Sequence, residues 1–267
     1  MLLLFGLIWV MRGLVAIVLV ALGATNATAQ TVHFPSVSAG SIAAGPELKG
    51  WLYRPAGEGP FPAIVLAHTC AGVNEHTNVW GKLLASWGYV VVAPDSFGPR
   101  GVSNVCNRGA IVSGSARVAD VAGAIDFLNA QPFVRRNDIG LIGHSHGGWT
   151  TVRAVQSSYG LAGLGLRAAV AYYPSCSAAF DYDVSTPLLI LIGDRDDWTL
   201  ADNCRRLQKA GFIRPDLVQA VYYPKAYHGF DSKAPDRNYL GHHLAFDPRA
   251  AADAETRTKE FFETYLH

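Results

Sequence analysis

Charge is what this sequence has least of. Of its 267 residues only 16% are Asp, Glu, Lys or Arg, and the signs nearly cancel, with 22 Lys plus Arg against 21 Asp plus Glu. No basic stripe is available to displace phosphate counterions, which excludes nucleic acid as a partner. Internal repeats and low-complexity tracts are missing too, and with them repeat arrays and disordered tails. Cysteine is scarce: Cys70, Cys106, Cys176 and Cys204 are the full set, and their spacings match no zinc-site pattern. No metal and no organic cofactor is implied. What is present is 50% hydrophobic, with 27 glycines, the composition of a compact globular chain. The length fits one large α/β domain.

Residues 1–29 hold a single charge, Arg12, between two apolar runs. Met11-Arg12, the apolar stretch 13–23 and the small-residue site Ala27-Thr28-Ala29 make a secretory signal, whose removal leaves Gln30 first. Residues 1–10 are superfluous to it, which makes Met11 an alternative start. A retained anchor is the competing reading, since about 20 apolar residues can span a bilayer; the interrupting arginine and the Ala-x-Ala site favour cleavage. The expectation is a signal peptide at 1–29 and a single domain at 30–267, periplasmic or secreted and off the membrane once cleaved. An oxidising compartment suits two disulfides. Four cysteines allow three pairings; Cys176 with Cys204, which follow strands expected side by side, and Cys70 with Cys106 are preferred.

From Phe61 onward short apolar runs alternate with amphipathic segments, the pattern of a mainly parallel sheet flanked by helices. Strands are expected at 63–67, 89–93, 139–142, 168–173, 188–192 and 218–223, and helices at 79–87, 116–130, 147–157, 201–210 and 250–265. Residues 32–53 add antiparallel edge strands. The stretch 97–113, with Gly-Pro-Arg-Gly and small polar residues, is a long surface loop. Only 174–187 separates two strands where a cap could be inserted, too little for a large cap domain.

Gly143-His144-Ser145-His146-Gly147 follows the strand at 139–142 and opens a helix, the strand, sharp turn and helix that a nucleophile elbow needs. Ser145 is the candidate nucleophile. A serine hydroxyl needs a base, and the base a carboxylate, in the chain order serine, acid, histidine. Asp194, Asp196 and Asp197 crowd the end of the strand at 188–192, and His228 follows the strand at 218–223. Backbone N–H groups of His146 and Cys70 are the expected oxyanion donors. Side chains two apart on a sharp turn diverge, so His144 and His146 do not form a metal pair. His33, His76, His242 and His243 are expected to be surface or packing residues, and Trp198 a packing residue or a weak substrate contact.

Taken together, 48–55, His68-Thr69-Cys70-Ala71-Gly72-Val73-Asn74, Ala93-Pro94-Asp95-Ser96-Phe97, the Ser145 elbow, Gly193-Asp194-Arg195-Asp196-Asp197-Trp198 and His228-Gly229-Phe230 resemble the dienelactone hydrolase family over residues 45–265. The resemblance implies an α/β-hydrolase fold without a large cap domain. It selects Asp196 as the acid, three positions after the strand-ending glycine, with Asp197 as fallback. It places Arg100 one residue from a family substrate-binding arginine. The name-giving enzymes resemble this chain but carry cysteine where Ser145 stands, an acidic residue at Thr69 and an arginine at Ser232. The expected activity is cleavage of small-molecule carboxylic esters or lactones through an acyl-enzyme. The alternatives are a peptidase or amidase of the same fold and a catalytically silent binding protein.

Overall fold

Valine, isoleucine and leucine runs too short for helices become strands buried on both faces. Val90–Pro94 and Leu188–Gly193 are buried along their whole lengths. The computed structural model describes residues 29–267, so the signal expected at 1–29 lies, but for Ala29, outside the described residues. Eight strands form the main sheet: β1 (Gln30–Pro35), β2 (Glu47–Tyr53), β3 (Phe61–Ala67), β4 (Val90–Pro94), β5 (Val134–His144), β6 (Leu166–Tyr172), β7 (Leu188–Gly193) and β8 (Val218–Tyr223). Their order across the sheet is β1-β2-β4-β3-β5-β6-β7-β8. The pairs β1 with β2 and β2 with β4 are antiparallel, and all the others are parallel. Order reverses at β3, between β4 and β5, and such a switch point opens a crevice at the carboxyl ends of the strands.

Among the described residues five α-helices flank the sheet: α1 (Glu75–Ser86), α2 (Val118–Asn129), α3 (His146–Ala154), α4 (Ala201–Ala210) and α5 (Pro248–Tyr265). Helices α2 and α3 pack on each other and on β5. Thr258 of α5 bonds the buried Tyr172 hydroxyl of β6 at 2.7 Å. α1 begins four residues before the expected 79, because Asn74 and Thr77 close a reciprocal capping box ahead of the first apolar residue. α3 ends at Ala154, three residues short of expectation. β5 begins at Val134, five residues early, and passes through Asn137 at φ 59°. An unexpected ribbon, β9 (Arg237–Tyr239) with β10 (His242–Leu244), follows β8, its three-residue strands too short to leave an alternating pattern. Both preferred disulfides are present, Cys70–Cys106 and Cys176–Cys204. No helix among the described residues is long and apolar enough to cross a membrane.

Candidate active site

The carboxyl ends of β3, β5, β7 and β8 converge on Ser145. Between β5 and α3 the chain reverses so sharply that Ser145 adopts φ 56° and ψ −113°, which a residue with a side chain enters only under strain. The Ser145 N–H donates to the Tyr172 carbonyl at 3.0 Å, and the Trp149 N–H to the Ser145 carbonyl at 2.8 Å. Both flanking glycines are required by close approach. A Cβ on Gly147 would strike the Ala67 and His68 carbonyls, and one on Gly143 would strike Gly147.

His228 Nε2 lies 2.9 Å from Ser145 Oγ, and His228 Nδ1 lies 2.8 Å from Asp196 Oδ2. With the Nδ1 proton donated to Asp196, Nε2 is left to accept from the serine hydroxyl. All three side chains are buried. The Trp198 and Thr199 amides donate to Asp196 Oδ1 at 2.9 and 2.8 Å, which fixes the carboxylate plane. Thr199 Oγ1 stands 2.9 Å from both Asp196 Oδ2 and the Tyr173 carbonyl, and 3.2 Å from His228 Nδ1. Sequence reasoning missed Thr199, and a lone threonine in an acidic loop carries no signal for it. Asp194 instead pairs with Arg205, and Asp197 accepts from the His243 amide at 3.2 Å. Of the three clustered aspartates, Asp196 alone reaches His228.

The two expected oxyanion donors sit on turns that are tied down. His146 is the first residue of α3, so no preceding turn accepts its N–H. Cys70 is held by its disulfide to Cys106 and by the Val105 N–H, which donates to its carbonyl at 2.9 Å. Arg117 joins the two turns: its Nη1 donates to the His68 carbonyl and to His146 Nδ1, both at 2.9 Å. Because Nδ1 accepts, the His146 proton sits on Nε2 and donates to the Gly109 carbonyl at 3.1 Å. Burial first, and Arg117 second, push the His146 imidazole down to about 4. The same two causes hold His68 well below the ordinary histidine range. Burial likewise lowers Arg117 to about 10, so the guanidinium remains the one cation of this group at neutral pH.

Arg100 is a correction. Its guanidinium makes a two-point ion pair with buried Asp120, at 2.8 and 2.9 Å, and donates to the Ser96 carbonyl at 2.7 Å. A fork so engaged serves the loop rather than a substrate carboxylate. Trp198 lies over His228 with ring centroids 5.1 Å apart and stacks on His242 at 4.7 Å. His242 and His243 are packing residues as expected, with His243 stacked on Tyr227. His76, expected as a surface or packing residue, packs edge-on against His144 and bonds the buried Asp231 at 2.8 Å. His144 and His146 diverge as expected, His144 packing on Tyr172, Trp80 and His76 and His146 on Phe97 and Trp149.

Known proteins agree with this architecture. A Synechocystis protein provisionally named carboxymethylenebutenolidase is 24% identical over 240 residues, 82% of this chain and 93% of its own. A similarly named protein of Methylorubrum extorquens is 25% identical, over 79% of this chain and 75% of that one. Among solved structures, a dienelactone hydrolase-like promiscuous phosphotriesterase from metagenomic libraries superposes with a TM-score of 0.75 at 22% identity, over 91% of this chain and 100% of that one. Pyrococcus horikoshii acylaminoacyl peptidase shares the fold with a TM-score of 0.65 at 21% identity, over 91% of this chain but 42% of its own. The sequence pattern of the dienelactone hydrolase family matches residues 48–266. With a mainly parallel eight-stranded sheet beneath that match, the chain belongs to the dienelactone hydrolase family and is a hydrolase of that type.

Proposed function

We propose that this protein is an exported serine hydrolase that cleaves carboxylic esters or lactones through an acyl-enzyme on Ser145. The observation that carries the reading is the hydrogen-bonded chain Ser145, His228, Asp196, with separations of 2.9 and 2.8 Å, at a strained elbow. His228 Nε2 takes the hydroxyl proton as Ser145 Oγ attacks the carbonyl, while Asp196 stabilises the imidazolium. The Cys70 and His146 amides receive the oxyanion. His228 then protonates the leaving alkoxide, and a water activated by the same nitrogen frees the acyl group. Serine suits ordinary esters, where the name-giving enzymes of the resemblance use cysteine. The small-molecule substrate enters past Trp198, and among the described residues no large cap domain lies over it. Export rests on the leader at 1–29 and on two disulfides, which persist in oxidising compartments.

Hydrolysis of short and medium p-nitrophenyl esters, with intact mass after fluorophosphonate treatment, tests the reading. Ser145→Ala and His228→Ala should each lose roughly four to six orders of magnitude in turnover, since the three groups act as a unit. Asp196→Asn should lose less, and Asp197→Asn almost nothing. A mass adduct retained in the Ser145→Ala protein, or a folded wild type without turnover or adduct, would overturn the proposal.

A further inference from the structure

On the opposite side of β5 from Arg117, three segments distant in sequence bring two imidazoles and a carboxylate together. His76 comes from the first turn of α1, His144 from the end of β5, and Asp231 from the loop that carries His228. We propose that His76, His144 and Asp231 bind one divalent cation of the zinc class, open to the groove beside α1.

Donor chemistry comes first. Imidazole nitrogen with carboxylate oxygen is a ligand set for zinc and its neighbours, whereas magnesium and calcium select oxygen alone. All three donor atoms lie within 4.8 Å of one another. Asp231 Oδ2 stands 2.8 Å from His76 Nε2 and 3.7 Å from His144 Nε2. Around four-coordinate zinc, with bonds of about 2.0–2.1 Å, neighbouring donors sit about 3.3 Å apart. Both edges therefore lie within about half an ångström of that figure. The remaining edge, His76 to His144, closes by a swing of His76, the most accessible of the three side chains.

His144 supplies the observation that separates this cluster from an ordinary ion pair. Its side chain is 1% exposed, yet Nε2 has no hydrogen-bond partner among the described residues. A buried polar atom left unpaired is destabilising, and a cation between Nε2 and Asp231 is the partner the geometry offers.

An outer shell and an entry path complete the site. Tyr173 Oη donates to Asp231 Oδ1 at 2.7 Å and Trp80 Nε1 to Oδ2 at 2.8 Å, holding the carboxylate as outer partners hold metal ligands. A groove of about 1180 Å³ between α1, the segment after Asp231 and the start of α5 is lined by His76, Trp80 and Asp231. It gives the ion a route in and room for water as fourth ligand. Bound there, the cation ties the loop of His228 to α1 and β5.

Titration calorimetry of the chelator-treated protein with zinc, beside metal analysis after gel filtration, reads the stoichiometry. One zinc per chain is expected, and cobalt should give the intense visible absorption of a four-coordinate site. His76→Gln and His144→Gln should each weaken zinc at least tenfold. His76→Gln alters a partly exposed side chain and keeps the test valid if His144→Gln does not fold. His243→Gln, on the ribbon away from the cluster, should leave affinity unchanged. No stoichiometric zinc, or zinc that survives His76→Gln and is lost in His243→Gln, overturns the proposal.

Discussion

Arg117 has the largest side chain in the fully buried interior, and it is a cation. Its Nε and second amino nitrogen find no hydrogen-bond partner among the described residues, so burial there is not made for stability alone. What the residue does accomplish is a bridge from the His68 carbonyl to His146 Nδ1, joining the turn after β3 to the start of α3. On the proposed mechanism these are the two turns that present the oxyanion donors, and Arg117 is a positioning residue for them. Arg117→Met should reduce kcat by up to roughly a hundredfold, the scale of an ångström-sized misplacement of catalytic groups, while KM changes little. Steady-state kinetics beside a melting curve decide it. Loss of melting temperature with kcat intact would reduce the residue to packing. Arg117 was not legible in the sequence: an arginine at the head of an apolar helix reads as a solvated charge, and only the tertiary structure turns it inward. Ser145 and His228 were legible because a strand ending and a tight turn leave local marks. Asp196 needed the resemblance to separate it from Asp194 and Asp197.

The two disulfides are comparable as cross-links and different in what they hold. Cys70–Cys106 closes a separation of 36 residues and Cys176–Cys204 one of 28. Chain-entropy reasoning assigns each about 3–4 kcal/mol, because closure depends on length only logarithmically. Only Cys70–Cys106 holds an expected oxyanion donor, fastening the turn after β3 to the loop before α2. Paired Cys70→Ala/Cys106→Ala and Cys176→Ala/Cys204→Ala variants should lose similar stability in urea, yet the first alone should lose roughly tenfold or more in kcat, since one oxyanion donor is worth about a hundredfold or more. Equal kcat in the two variants would sink this assignment. Elements were read well where the pattern was long and apolar, as in β7, and poorly where the ordering force is tertiary. The ribbon of β9 and β10 consists of three-residue strands beside Trp198 and Tyr227, too short to show a period. Arg100 was misplaced because its partner Asp120 lies on α2, twenty residues away.

Across the molecule, burial keeps imidazoles neutral around a single cation, and this fixes how stability responds to acid. His146 is held down to about 4, and His68 well below its ordinary value, each by burial first and Arg117 second. In the unfolded chain both titrate near 6.5. Between those values the unfolded state binds more protons than the native one, so their stabilisation is complete above about pH 6.5 and is lost as pH falls. At pH 5 the loss for His146 alone is about 2 kcal/mol. Asp181 acts in the opposite sense. Burial raises it to about 6 despite Arg153 at 3.0 Å, so its native state holds a proton that the unfolded chain releases near 4. Its contribution is present in acid and lost as pH rises through 6, about 1 kcal/mol between pH 5 and 7. His68 and His146 together outweigh it. Urea unfolding with a chelator present should therefore show stability falling from pH 7 to pH 5, and His146→Gln should flatten that slope by about one proton. A slope unchanged by His146→Gln would mean that His146 is charged in the native state. The Nη1 bond from Arg117 could not then form, because a protonated imidazole has no lone pair to accept it.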